Sequence, residues 1–154
     1  MLEANPSLNW RDVQHIIVRT ARKANLKADD WKVNGAGYNL SHAFGFGLMD
    51  AGAMVRLAED WQTVPSQQRC ETEWSGREVG LGGRDRSVLS HNVTECDHVG
   101  VMEHVHVTID ISHSNTRRGL FSIELESPSG TVSQLLAPRP LDNSLSGMNQ
   151  SEHT

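Results

Sequence analysis

Ser41, His42 and Asp50 are the residues whose types could support nucleophilic catalysis. A serine, a histidine and an aspartate are the three members of a hydrolase triad. Two features argue against a triad here. The Gly-x-Ser-x-Gly elbow that exposes such a serine is absent, and order in sequence does not establish triad geometry. We therefore assign no nucleophile to this segment.

His104, His106 and Asp110 could hold a metal ion if they lay on one strand. Alternate residues of a strand share a face, and two imidazoles with a carboxylate are a common ligand set. However, the exposed face of a half-buried strand ordinarily carries polar residues of this kind. We therefore assign no metal ligands.

Cys70 and Cys96 are the two cysteines of the chain. They show no CxxC spacing, which argues against a zinc site built on cysteine. In an oxidising compartment they would pair, and in the cytosol they would stay as core thiols, so composition leaves both alternatives open. The sequon Asn92-Val93-Thr94 favours secretion, and Asn39 and Asn149 also begin sequons.

Two further motifs have structural interpretations. Gly35 and Gly37, like Gly45 and Gly47, lack the strand-then-helix GxGxxG context of a dinucleotide site. They indicate backbone positions that need positive φ or close packing. Arg117-Arg118 is typical of a basic cleavage site, but its place between two alternating segments favours a turn.

Asn9–Arg22 is the element with the clearest helical signal. Asn9 is the predicted N-cap, and Asp12 falls in the first turn. The pattern predicts an apolar face of Trp10, Val13, Ile16, Ile17 and Thr20. It predicts a solvated face of Arg11, Asp12, Gln14, Arg19 and Arg22. The apolar face needs partners that lie downstream or outside the chain.

Downstream segments predict a change from helical to extended structure. Trp31–Gly47 indicates a strand pair or glycine-supported loop, and Leu48–Trp61 a helix capped by Asp50. The run TVPSQQR at 63–69 is a linker, where we place a domain boundary. Strands are predicted at Val99–Ser112, Leu120–Glu126 and Val132–Ala137, with a turn at Ser127–Gly130. These strands favour a β-sandwich or jelly roll but are too few to close one.

Composition narrows the classes of partner and location. The chain has 14 basic and 19 acidic residues, a formal charge of −5, which argues against nucleic acid. No apolar run reaches the roughly 18 residues that a transmembrane helix needs. Residues 1–8 lack the basic start and apolar middle of a signal peptide, so we expect any secretion signal to lie elsewhere.

Four segments together closely resemble one family. They are LEANPSLNWRDVQHIIVRTAR, DDWKVNGAGYNLSHAFGFGLMDAGAMVRLAEDW, MEHVHVTIDISHSNTRRG and SPSGT. They resemble the kexin/furin-like proprotein convertases, which are subtilisin-type serine endoproteases of the secretory pathway. The resemblance covers Leu2 to about Asn149, in the order of the family.

The resemblance implies a domain organisation and a fold class. Residues 1–62 would end a subtilisin-like peptidase domain, 63–69 would be the linker, and 70–154 would begin a truncated P, or homo B, domain. The fold would be an α/β remnant of C-terminal helices followed by an incomplete all-β jelly-roll sandwich. The resemblance also implies that Cys70 and Cys96 form a disulfide of the P domain.

The family implies a function that this chain alone would lack. Its members are calcium-dependent endopeptidases that process secretory precursors after paired basic residues, in the Golgi or after secretion. By resemblance, the catalytic triad, including a serine in a GTSA-type motif, and the calcium sites lie upstream of Met1. We therefore expect no catalytic residue and no cofactor within the chain. Its partners would be the upstream catalytic core and, for the full enzyme, precursor proteins. An alternative is a short, non-catalytic product that acts as a binding or regulatory module of a convertase.

The chain departs from the family pattern in three places. Leu120 follows Arg117-Arg118-Gly119 where the family commonly has aspartate, which puts any role of that acidic residue in doubt. Ser129 replaces methionine in the SPMGT turn. The tryptophan-containing segments that close the family's P domain are absent after residues 147–149.

Overall fold

The computed structural model describes residues 1–72, 80, 86–111 and 117–145. They divide into two compact units. The first joins Met1–Val64 to the described part of Val107–Thr154, and the second is Pro65–His106. The assignment of a peptidase-domain end and a P domain stays a prediction.

The first unit holds the regular structure of the described residues. Its helices are α1 (Trp10–Thr20) and α2 (Ala51–Glu59), and a 3-10 turn spans Arg118–Leu120. Its strands are β1 (Lys32–Val33), β2 (Asn39–Leu40), β3 (Ile123–Glu126) and β4 (Val132–Leu136). The strands form two antiparallel pairs, β1 with β2 and β3 with β4. The predicted helices and short antiparallel strands are therefore confirmed at this level.

A reciprocal cap starts α1 where the sequence predicts it. The Asn9 side chain accepts from the amides of Arg11 and Asp12, at 2.9 and 3.0 Å. In return the Asp12 carboxylate accepts from the Asn9 amide at 2.8 Å. Helix termini leave backbone amides without partners, and this capping box satisfies three of them.

The prediction that Asp12 lies on the solvated face of α1 is wrong, because the residue is 0% exposed. Its Oδ1 accepts from the Trp61 indole at 2.9 Å and from the Val64 amide at 2.8 Å. Asp12 lies one turn before Ile16, so both residues occupy the stripe of α1 that α2 and the chain after it cover. The carboxylate is buried together with donors that compensate its lost hydration.

The core of the first unit forms between the two helices. Ile16 and Ala58 are fully buried, and Leu8 packs with them. The partly buried side chains of Met1, Met54, Leu57 and Trp61 surround this cluster. Part of the apolar face of α1 therefore has a downstream partner in α2. Trp10, at the start of the same face, remains 58% exposed.

The two hairpins follow the turn chemistry of their sequences. In the first, the Asn34 side chain accepts from the amides of Ala36 and Tyr38, and Gly37 adopts a φ of +84°. In the second, the Gly130 amide donates to the Ser127 carbonyl at 2.9 Å, with Gly130 at a φ of +80°. Positive φ is accessible to glycine without steric cost, so both turns close as predicted.

The strand predicted at Val99–Ser112 is wrong over its described residues, 99–111, which form no strand. Val101 is 80% exposed and Val105 is 48% exposed. An alternating pattern produces a strand only when a neighbouring strand pairs with it and another layer covers its apolar face. Neither the pairing partner nor the covering layer can be read from the alternation itself.

Replacing Asp12 with asparagine should destabilise the first unit. The substitution keeps the size of the side chain but removes its charge, while the Trp61, Val64 and Asn9 donors stay in place. The unmatched buried polar group should cost about 1–3 kcal/mol in the free energy of unfolding. Urea denaturation measures this loss, with exposed Asp29→Asn as the control. Equal unfolding midpoints for the two variants would contradict the assigned role.

The same site predicts how stability depends on pH. Burial raises the pKa of Asp12, but its hydrogen bonds with Asn9, Val64 and Trp61 outweigh burial and lower the pKa below the ordinary value of 3.8. A lowered folded-state pKa stabilises the protein at pH above 3.8, and this contribution is lost as pH falls through the folded-state pKa. The free energy of unfolding should therefore decrease less steeply from neutral to acidic pH in Asp12→Asn than in wild type. Equal slopes of the free energy of unfolding against pH in the two proteins would contradict this prediction.

Candidate functional site

Ser41 lies immediately after β2, at the start of a loop in which the Ser41 amide donates to the Gly45 carbonyl at 2.8 Å. The residue is 3% exposed. Its hydroxyl donates to Asp30 Oδ1 at 2.7 Å, and the His42 amide donates to Asp30 Oδ2 at 2.6 Å. The Ser41 hydroxyl also accepts from the amides of Ala43 and Phe44, at 3.2 and 3.3 Å. Asp30 and Ser41 therefore form a clamp across the base of the hairpin.

This geometry does not resemble an activated serine. A serine nucleophile needs a base positioned to take its proton and a route for the substrate. The Ser41 proton is directed at a carboxylate, the residue is buried, and the His42 contact uses the backbone rather than the imidazole. The Ser41 hydroxyl and the His42 amide outweigh partial desolvation and hold the pKa of Asp30 below its ordinary value. The clamp can order the loop, and nothing in its geometry supports acyl transfer.

Asp50, the third candidate triad member, has other partners. Its carboxylate accepts from the Ala53 amide at 2.9 Å and caps α2, as the sequence predicts. It also lies 3.4 Å from the Arg22 guanidinium, beyond the end of α1. Asp50 therefore connects the start of α2 to the chain that follows α1.

Asp30 is a site residue that sequence reasoning missed. The register of the hairpin pairs Lys32 with Leu40. Continuing that register by two residues places Asp30 opposite His42, where the two form their hydrogen bond. A prediction of the exact register would therefore have indicated the clamp.

Aromatic and glycine residues support the loop behind the clamp. Trp31 stacks on Phe44 with a centroid distance of 6.1 Å, and the Lys23 ammonium lies 5.2 Å from the Trp31 ring. Gly47 has a φ of +124°, and a Cβ there would lie 2.6 Å from the Arg22 carbonyl. Arg22 and Leu48 exchange backbone hydrogen bonds of 3.0 and 2.9 Å beside it. Gly47 thus meets both predicted needs, positive φ and close packing.

The turn Ser127–Gly130 brings a distant part of the chain to the first hairpin. The Gly35 amide donates to the Thr131 hydroxyl at 2.9 Å. A Cβ on Gly35 would lie 2.6 Å from Ser129 Oγ, which explains the small residue at this contact. The NGAG and SPSGT segments, both part of the resemblance, therefore meet in one compact unit.

The second unit contains the predicted covalent link. Cys70 and Cys96 form a disulfide with a Cα–Cα distance of 5.8 Å, which confirms that prediction. Asn92 is exposed close to it, in a surface cavity shared with Glu71 and Thr72. Asn39 lies in β2, and Asn149 is outside the described residues. Glycosylation of these asparagines stays a prediction.

His104, His106 and Asp110 lie in the segment without a strand, so they do not share a strand face. Across the described ranges, no group of three or more His, Cys, Asp or Glu residues is arranged to hold a metal ion. Within the same ranges, no helix has the length and apolar character to cross a bilayer.

The comparisons with known proteins agree with the resemblance. Residues 102–154 match the profile of the proprotein convertase P-domain. Proprotein convertase subtilisin/kexin type 5 of Rattus norvegicus is 51% identical over 152 residues, which cover 95% of this chain and 8% of that protein. Furin-like protease 1, isoform 1-CRR, of Drosophila melanogaster is 46% identical over 150 residues, covering 97% of this chain and 13% of the relative.

Furin of Mus musculus is 45% identical over 150 residues, covering 96% of this chain and 19% of that protein. The chain thus spans between 8% and 19% of the length of these three curated relatives.

Ser41→Ala should destabilise the chain and should not remove a reactive nucleophile. Loss of a buried hydroxyl bonded to a carboxylate should cost about 1.5–3 kcal/mol in the free energy of unfolding. Urea denaturation measures this cost, and Ser133→Ala, on the exposed side of β4, is the matched control. Labelling of wild-type Ser41 by a fluorophosphonate, followed by mass spectrometry, would contradict the assignment.

Proposed function

The chain belongs to the furin-like proprotein convertase family, and we propose that it is part of a longer serine endopeptidase that processes secretory precursors after paired basic residues. The observation that carries the proposal is 51% identity to a proprotein convertase over 95% of the chain. Identity at this level, along a chain whose described residues form two helices and two hairpins, supports the same local fold. The small share of each relative that the chain spans makes the catalytic function a property of the longer protein.

Within that enzyme, residues 1–62 would complete the peptidase domain and residues 70–154 would begin the P domain, with 63–69 as linker. In this arrangement the contact of Gly35 with Thr131 would join the two domains, because it links a hairpin of the first segment to a turn of the second. A jelly-roll sandwich would form from β3, β4 and further strands.

The chain would act as a scaffold for a catalytic site supplied by the rest of the protein. Acyl transfer requires a serine activated by histidine and donors for the developing oxyanion. Ser41 is committed to Asp30, and Asp50 to α2 and Arg22. What these residues do is hold α1, the loop and α2 in one arrangement. Exposed Trp10 would pack on the upstream catalytic core.

Calcium would belong to the longer enzyme. The described residues do not fit a calcium site, since no cluster of three or more acidic or other metal-binding side chains occurs among them. The carboxylates with clear structural roles, Asp12, Asp30 and Asp50, already accept hydrogen bonds from protein donors. No step of the proposed function uses a metal held by this chain.

The disulfide supports a location in the secretory pathway. A bond between Cys70 and Cys96 persists in an oxidising compartment, and cytosolic conditions would reduce it. The exposed Asn92 sequon beside it is consistent with glycosylation in that pathway. Both features support the location that the family implies.

The purified 154-residue chain should not cleave a fluorogenic peptide that contains a basic pair. The rate should equal that of buffer, because the proposed catalytic groups lie outside the chain. An upstream reading frame in the transcript should encode a GTSA-type serine motif in frame with Met1. Cleavage above background that a fluorophosphonate abolishes, or an in-frame stop codon directly upstream, would contradict the proposal.

A further inference from the structure

The paired basic residues Arg117 and Arg118 lie at the start of a 3-10 turn. Arg117 is exposed, whereas the Arg118 side chain is 31% exposed. The Arg118 guanidinium donates through Nε to Asp142 Oδ2 at 2.8 Å. Arg139 Nη2 lies 3.5 Å from the same oxygen, so Asp142 serves two cations. The Asp142 side chain is 17% exposed, which limits competition from water.

The backbone around the Arg118–Gly119 peptide bond is engaged by the same distant segment. The Arg118 amide donates to the Ser144 carbonyl at 2.9 Å, and the Gly119 amide donates to the Asp142 carbonyl at 3.2 Å. The Arg139 amide donates to the Gly119 carbonyl at 2.7 Å. Gly119 is buried, and a Cβ there would collide with the carbonyls of Arg139 and Asp142. The peptide bond is therefore enclosed on both sides.

An endopeptidase cannot act on a bond held in this way. It binds the residues before the scissile bond as an extended segment and recognises an arginine through carboxylates that accept from the guanidinium. Here Arg118 begins a 3-10 turn, the amides of Arg118 and Gly119 donate to the carbonyls of Ser144 and Asp142, and the Asp142 carboxylate already binds the guanidinium. Cleavage therefore requires local opening of the turn, and its rate follows the population of the open form.

We propose that the Arg118–Gly119 bond is a latent paired-basic cleavage site that Asp142 keeps closed. The importance of such a site rests on the proposed function, because a paired-basic endopeptidase would meet this sequence in every copy of itself. When the turn opens, water adds across the Arg118–Gly119 amide, leaving a carboxylate on Arg118 and an amino group on Gly119. Asp142 thus protects the chain from the specificity of its own family.

Limited proteolysis of the full chain tests the proposal. Trypsin should cleave after Arg118 about tenfold faster in Asp142→Asn than in wild type, because the neutral amide no longer pairs with Arg118 and the turn opens more often. Mass spectrometry of the new terminus at Gly119 measures the rate. Asp29→Asn, an exposed aspartate in the same unit, is the matched control and should behave as wild type.

Cleavage after Arg56 in α2 separates local opening from general unfolding. In Asp142→Asn this second rate should stay within about twofold of wild type, since α2 does not depend on Asp142. An unchanged rate after Arg118 would overturn the proposal, and so would equal acceleration at Arg56 and Arg118. Trypsin cleaves after arginine regardless of the role of this chain, so the result is independent of whether the longer protein is a convertase.

Discussion

A single buried carboxylate connects the first turn of α1 to the chain that follows α2. Asp12 lies in the first turn of α1, yet it binds the indole of Trp61 and the amide of Val64, about fifty residues later in the chain. A buried charge is tolerated only when donors replace its hydration. The chain after α2 must therefore return to α1 and bring those donors with it, and the contact of Ile16 with Ala58 becomes possible beside them.

The other polar contacts of the unit extend this arrangement outward. Asp30 clamps the base of the first hairpin through Ser41, and Asp50 joins the start of α2 to Arg22, which lies just beyond the end of α1. In each case a carboxylate accepts from a backbone amide and from a second donor. Among the described residues, the buried cluster between the two helices consists of Leu8, Ile16 and Ala58, and a cluster of this size leaves much of the ordering to such contacts. This explains how Ser41, His42 and Asp50, whose residue types also occur in catalytic triads, stabilise the fold.

The two parts of the resemblance meet at their loops. The NGAG hairpin receives the SPSGT turn through Gly35 and Thr131, and the Arg139–Ser144 segment closes on the turn at Arg118. Both contacts depend on a glycine, since a side chain at Gly35 or Gly119 would occupy the space of its neighbour. The contact at Gly35 joins residues 1–62 to residues 70–154, whereas the contact at Gly119 lies within the second of these segments.

Local chemistry in the sequence determined the features that depend on neighbouring residues. The cap at Asn9, the cap at Asp50, the two glycine turns and the family motifs are all readable because each needs only residues a few positions apart. The tertiary structure alone decided that Asp12 is buried, that Ser41 binds Asp30, and that residues 99–111 form no strand. Each of those outcomes depends on which distant segment covers the residue. A helical or alternating pattern states the direction of a side chain but carries no information about its partner.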